Sequence, residues 1–235
     1  MRLVLLCFIS FLFLNCQDKK TETKNTSKVV QNTSEEKEVP EKDSVIIPER
    51  EFPLLTDDNA MEFFLEYEKH NKENKVRITT QFGEIDVLLY DKTKFHRANF
   101  IFLTKQGYFD DTQFYRVVPN FIIQGGSTDD AKVKRKRKQI GEYLLPTDTK
   151  RGYKHDRGVL SMPSGAIENP HKLASPYQFF IVQKKDGAYH LDGDYTIFGK
   201  VIRGMDVVDE IAQQETDNAE WPLHNVYIKK VEIIE

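Results

Sequence analysis

Phe114 to Gly126 reads FYRVVPNFIIQGG. Two short runs of aromatic and β-branched residues flank Pro119-Asn120, and the stretch closes on a pair of glycines. Apolar runs joined by turn residues predict a buried strand pair. Arg116 does not fit that reading, because a guanidinium stays charged and is costly to bury without partners. If both runs keep strand parity, Arg116, Ile122 and Gln124 project to one side, and the Pro119-Asn120 bend brings Phe121 round to them. Chemistry alone leaves two roles open. The arginine either caps a barrel end by donating to carbonyls or stands as one strong donor at the edge of an apolar groove.

The flanking sequence predicts more strands. Lys75 to Tyr90 (KVRITTQFGEIDVLLY) alternates Val76, Ile78, Thr80 and Phe82, breaks at Gly83 and resumes with Ile85, Val87 and Leu89, a hairpin pattern. Similar short runs predict strands at 114–118, 121–124, 158–162, 178–183, 196–202 and 226–233. Helices are expected at 56–71, where Met61, Phe64, Leu65 and Glu68 follow a Thr56 or Asp57 cap, at 93–106 before Gly107, and at 206–213. Many short strands with two or three helices predict a mostly β protein, a closed barrel with helices on its ends.

The 235-residue chain carries a formal charge of −3, which argues against a nucleic-acid partner. At its start, Arg2 precedes an apolar run from Leu3 to Leu14, too short to span a bilayer as a helix. This predicts an export signal over residues 1–15. Cys16 stands where bacterial lipoprotein signals place the lipidated cysteine, although Asn15 occupies a position where a small residue is usual. Cys7 and Cys16 are the only cysteines, so a processed chain would hold neither a free thiol nor a disulfide, and thiol catalysis is excluded. Residues 16–50 are polar and charged, and predict a flexible tether with a mean reach of about 30 Å. A helical extension over 51–74 and a main domain over 75–235 complete the expected organisation. The expected setting is the bacterial cell envelope, through a lipid anchor facing the periplasm or the outside, with the chain a monomer.

Other constellations are read as bland. The basic run Lys132 to Lys138 (KVKRKRK) is expected to be a solvated loop between strands, with contact to anionic polymer or lipid as the other reading. His155 and Asp156 are expected to form a hydrogen-bonded pair in a loop. The six histidines lack metal-ligand spacing, and no nucleophile elbow, phosphate loop or dinucleotide fingerprint appears. No metal or cofactor is expected.

FYRVVPNFIIQGG resembles the signature of cyclophilin-type peptidyl-prolyl isomerases. Gly158-Val-Leu-Ser-Met162, Gln178-Phe-Phe-Ile181, Leu191-Asp-Gly193 and Phe198-Gly-Lys-Val201 are similar to further blocks of that family, in family order. The resemblance covers about residues 75 to 235. It implies a closed eight-stranded antiparallel barrel and cis–trans isomerisation of X–Pro bonds in unfolded or flexible chains. It further implies that Arg116 is catalytic and that Phe121, Ile122, Phe180 and Leu191 line a proline pocket. Gln124 would orient the arginine and touch substrate, with Gln178 alongside the peptide. Tyr195 replaces a frequent histidine. Pro163-Ser164-Gly165 replaces Ala-Asn-Ala, leaving Ser164 to offer the peptide-binding backbone. His190 replaces a tryptophan that tight cyclosporin binders use, which implies weak cyclosporin binding. A proline-segment binding module without turnover and an envelope scaffold are the alternative functions.

Overall fold

The computed structural model describes residues 50–165 and 169–235. The expected signal, Cys16 and all of the tether except its last residue, Arg50, lie outside the described residues. In chain order the strands are β1 (Leu55–Thr56), β2 (Lys75–Thr80), β3 (Glu84–Leu89), β4 (Thr112–Val118), β5 (Ile122–Ser127), β6 (Gly141–Glu142), β7 (Val159–Met162), β8 (Phe179–Val182), β9 (Thr196–Arg203) and β10 (Val226–Ile233). Among them run helices α1 (Ala60–His70), α2 (Lys94–Lys105), α3 (Ala131–Ile140) and α4 (Met205–Ala212).

Alternation decides the inside of the sheet. In β2, Val76, Ile78 and Thr80 are buried while the residues between them are only partly covered. β3 returns antiparallel, pairing Val76 with Val87 and Ile78 with Ile85. Gly83 turns the chain at φ +136°, a conformation that glycine adopts without a Cβ clash. The eight long strands close in the order β10-β2-β3-β9-β7-β8-β5-β4, every neighbouring pair antiparallel. Closure removes the sheet edges that would otherwise template aggregation. The expected mostly β closed barrel is the observed fold.

Phenylalanines from several elements fill the core. Phe100 of α2 stacks on Phe109 at 4.6 Å and meets Phe179 edge-on at 5.6 Å, and Phe114 meets Phe179 at 5.8 Å. Burying each such ring contributes roughly 2–3 kcal/mol. α2 packs against β9 and β10, and α4 against β3, β4 and β5. The segment before β2 belongs to the same body: α1 lays Phe63, Phe64 and Tyr67 edge-on against Phe102 of α2, at 5.1, 5.8 and 5.4 Å. β1 pairs in parallel with β6, setting Leu55 opposite Gly141.

The basic run is not a loop. Lys132 to Lys138 lies within α3, so the described residues hold four α-helices rather than two or three. Asp130 caps the helix, its carboxylate accepting from the Lys132 and Val133 amides at 2.6 and 3.3 Å. Lysine and arginine are good helix formers. Only Val133 and Ile140 are buried, seven residues apart, and so sparse a stripe hides the helical period from a reading by hydrophobicity.

Candidate active site

Arg116 escapes the core through a bulge. Phe114 opposes Gly125 and Arg116 opposes Gln124, so two steps on β4 match one on β5 and Tyr115 is the extra residue. The bulge resets strand parity. Phe114 and Val117 point inward and are fully buried, while Tyr115 and Arg116 stay partly exposed. Directly opposed residues share a face, so Arg116 with Gln124 and Val118 with Ile122 lie together on the outer wall. The predicted grouping of Arg116, Ile122 and Gln124 is observed, although a bulge rather than unbroken alternation produces it.

That wall carries a second apolar cluster, separate from the barrel core. Ile122, Val159, Phe180, Val182, Ala188 and Ile197 are buried in it, and Phe121, Leu191 and Tyr195 pack against it. A groove of about 350 Å³ opens there, lined by Arg116, Phe121, Ile122, Gln124, Pro163, Ser164, Phe180, Leu191 and Tyr195. Its size falls within the roughly 300–1,000 Å³ of ligand sites. Tyr195 meets Phe180 edge-on at 5.8 Å, and His190 stacks on Phe121 at 5.3 Å. Beyond the end of β7, the Pro163 carbonyl accepts from the Ser175 amide at 2.7 Å and Ser164 bridges to Ala174. A proline at a strand end needs no amide of its own to keep this pairing.

Of the expected binding residues, Gln178 alone stands back from the lining. The Tyr115 hydroxyl donates to its Oε1 at 3.0 Å, and the Gln124 amide donates in turn to the Tyr115 hydroxyl. Burial pushes the Tyr115 pKa up to about 12, so the hydroxyl remains a donor at any physiological pH. With Gln124 engaged there, the partner of the arginine is another residue: Arg116 Nε donates to Glu220 Oε2 at 2.6 Å. Among the described residues this guanidinium makes no other hydrogen bond, so its terminal amino groups are unengaged beside the groove that Arg116 lines. Neither Tyr115 nor Glu220 was legible as a site residue in the sequence.

His155 does not pair with Asp156. Its Nδ1 lies 2.7 Å from Asp192 Oδ1 and its Nε2 lies 3.1 Å from Ser161 Oγ, while Asp156 accepts from the Tyr189 hydroxyl at 2.8 Å. The fold brings Asp192 across from a distant loop, and adjacency in sequence gave no hint of it. The trio is a strut, not a nucleophile. Ser161 is fully buried and donates to the Thr196 carbonyl at 2.9 Å, and the His155 ring lies parallel to Phe180 at 5.9 Å. Burial lowers the His155 pKa, against the opposing effect of Asp192.

The fold and the site define a closed β-barrel with an apolar, peptide-sized groove on its outer wall and a cationic donor at the groove's edge. Residues 75–233 match the family described as cyclophilin type peptidyl-prolyl cis-trans isomerase/CLD, and the chain belongs to that family of isomerases. Peptidyl-prolyl cis-trans isomerase CYP18-2 of Arabidopsis thaliana is 34% identical over 163 residues, covering 68% of this chain and 94% of that protein. A peptidyl-prolyl cis-trans isomerase of Acinetobacter baylyi is 35% identical over 164 residues, covering 68% and 82%. Peptidyl-prolyl cis-trans isomerase-like 2 of Rhizopus delemar is 37% identical over 77% of this chain, which spans only 32% of that longer protein. The crystal structure of a Cryptosporidium parvum cyclophilin-type isomerase superposes with a TM-score of 0.58 at 29% identity, covering 69% of this chain and 98% of that one.

Proposed function

We propose that this chain accelerates rotation about X–Pro bonds in exported polypeptides and works as a folding helper held at the bacterial envelope by a lipid on Cys16. The observation that carries the catalytic part is the placement of Arg116 at the rim of an apolar groove. The barrier to X–Pro rotation, roughly 18–20 kcal/mol, is amide resonance. Twisting the bond breaks that resonance, and the prolyl nitrogen becomes pyramidal and regains a lone pair. A guanidinium N–H placed there hydrogen-bonds the twisted state and finds little to bond in the planar one. Stabilisation that favours the transition state over the ground state is what accelerates a reaction. Phe121, Ile122, Phe180 and Leu191 hold the proline ring while the acyl side turns. This chemistry calls for no covalent step, metal or cofactor.

Removing one preorganised donor costs about 10²–10³ in rate. Arg116→Ala is therefore expected to lose that much kcat/KM in a prolyl-peptide isomerisation assay while its melting curve is unchanged. Arg116→Lys recovers little, because an ammonium lacks the planar fork. Retention of more than about a third of the activity by Arg116→Ala would rule out this mechanism. An inactive natural protein that still binds prolyl peptides would instead be a recognition module.

The envelope setting is supported by Arg2, the apolar run Leu3–Leu14 and the polar stretch after Cys16. Labelling with radioactive palmitate in a bacterial host should depend on Cys16. Label that survives Cys16→Ser removes the lipid anchor from this proposal.

A further inference from the structure

Glu220 is held beside Arg116 by more than one bond. The segment 215–223 folds back on itself: the Leu223 amide donates to the Glu215 carbonyl at 2.8 Å, and the Asp217 carboxylate accepts from the Ala219 and Trp221 amides at 2.8 and 2.9 Å. This loop is fastened to β4 next to the arginine. The Val117 amide donates to the Glu220 carbonyl at 2.9 Å, and the Trp221 ring lies 5.6 Å from Tyr115. Within it Glu220 sits at φ +64°, a left-handed conformation uncommon for a long side chain. Such backbone persists where the surroundings over-determine it, and it clusters at functional sites.

The ion pair has little to do with stability. Arg116 and Glu220 keep 34% and 42% of their side-chain exposure, and exposed pairs of this kind contribute little. Its geometry is more informative. By accepting from Nε, the carboxylate tethers the guanidinium at the groove that Arg116 lines and leaves both terminal amino groups free of hydrogen bonds among the described residues. A flexible arginine donor would have to be ordered anew at each turnover, whereas one held in place contributes its hydrogen bond without that reorganisation.

We infer that Glu220 is a positioning residue for prolyl isomerisation, aiming the Arg116 guanidinium into the groove from a loop braced by Asp217. This inference rests on the proposed role of Arg116. The opposite effect, a carboxylate that competes with substrate for the guanidinium, predicts the reverse sign and is separated by the same measurements.

The test is kcat/KM for a prolyl peptide, measured on the full chain and its variants. Glu220→Ala is expected to fall about five- to twenty-fold, within the up to about hundredfold that small misplacements cause, with the loss in kcat rather than KM. Glu220→Gln, whose amide oxygen can accept the same Nε–H, should recover most of the loss. Glu220→Asn tolerates the left-handed backbone but is one methylene short, so it should resemble the alanine variant even if Glu220→Ala folds poorly. In an Arg116→Ala background, Glu220→Ala should change the rate less than twofold, as a residue acting through the arginine must. By nuclear magnetic resonance, the Arg116 Nε–H signal should be protected from exchange in the natural and Gln forms and lose that protection in the Ala form. An unchanged or raised rate in Glu220→Ala and Glu220→Asn overturns the inference, as does an equal loss in the Arg116→Ala background. If Arg116→Ala itself keeps full activity, the role of the arginine fails first and the positioning role falls with it.

Discussion

At the scale of single residues, the family resemblance singles out His190, beside the groove. Its exposed ring stacks on Phe121 at an interplanar angle of 25°, where the family resemblance places a tryptophan in tight cyclosporin binders. Imidazole offers an N–H but covers less apolar surface than indole. A deficit of roughly 50–100 Å² at about 25 cal/mol per Å² amounts to about 1.3–2.5 kcal/mol, or roughly eight- to seventy-fold in affinity. In the proposed mechanism the proline ring is held by Phe121, Ile122, Phe180 and Leu191, so turnover should change little. His190→Trp is therefore expected to tighten cyclosporin inhibition by that factor with kcat/KM nearly unchanged. The check is a titration of both forms in one peptide assay, and nanomolar inhibition of the natural His190 form would contradict it. The groove's residues were readable in the sequence because they sit in short blocks whose order matches a family signature. Glu220 was not. It lies 104 positions from Arg116 in a loop with no motif, and only the folded chain brings the two together.

At the scale of elements, alternation identified the β2–β3 hairpin and short apolar runs between turn residues the other barrel strands, and the α-helix that escaped, α3, was the one with a thin apolar stripe. The β4 bulge shows a different limit. FYRVV reads as an even alternation, and the extra residue at Tyr115 becomes visible only from the register against β5. Helix α2 carries a further consequence that periodicity does not reveal. His96 is buried, and neither ring nitrogen has a partner among the described residues. Burial lowers its pKa to about 4, against about 6.5 in an unfolded chain. Because the folded value is the lower one, the unfolded state binds the proton more readily below pH 6.5. Stability is therefore complete above about 6.5 and is lost progressively down to about 4, by about 3 kcal/mol. His155 shifts in the same direction. Asp86 has its pKa lowered to about 2, chiefly by its hydrogen bond to Arg77, with Arg203 adding to it. Its contribution is lost only below its ordinary value of 3.8, outside the histidine window. His96→Leu should therefore flatten the fall in urea midpoint between pH 7 and pH 4.5, and an unchanged slope would mean that His96 is not the group protonated.

At the scale of the whole molecule, the family match and the folding unit do not coincide. The match starts at residue 75, whereas the compact unit already includes the described residues from Arg50 onward and runs to Glu235. The difference is α1 and its neighbours, and its importance is fixed by one charge. Arg97 on α2 is 2% exposed, donating from Nη1 to the Lys72 carbonyl at 2.9 Å and from Nη2 to Glu68 Oε1 at 2.7 Å. Both partners precede residue 75. Of its charged partners only Asp91, 3.1 Å away and largely exposed, would survive a cut at the family boundary. Removing a partner from a buried ion pair costs about 3–5 kcal/mol, and Phe102 would lose its contacts with Phe63, Phe64 and Tyr67 as well. A domain of this size is stable by only about 5–15 kcal/mol. A fragment of residues 75–235 is therefore expected to express poorly or melt far below one of residues 49–235, although every groove residue is present in both. Arg97→Met should restore part of the shorter fragment's stability, because it removes the stranded charge and keeps most of the volume. Thermal melts of the three proteins decide the point, and equal melting temperatures for the two fragments would show that α1 is an ornament on the barrel rather than part of its core.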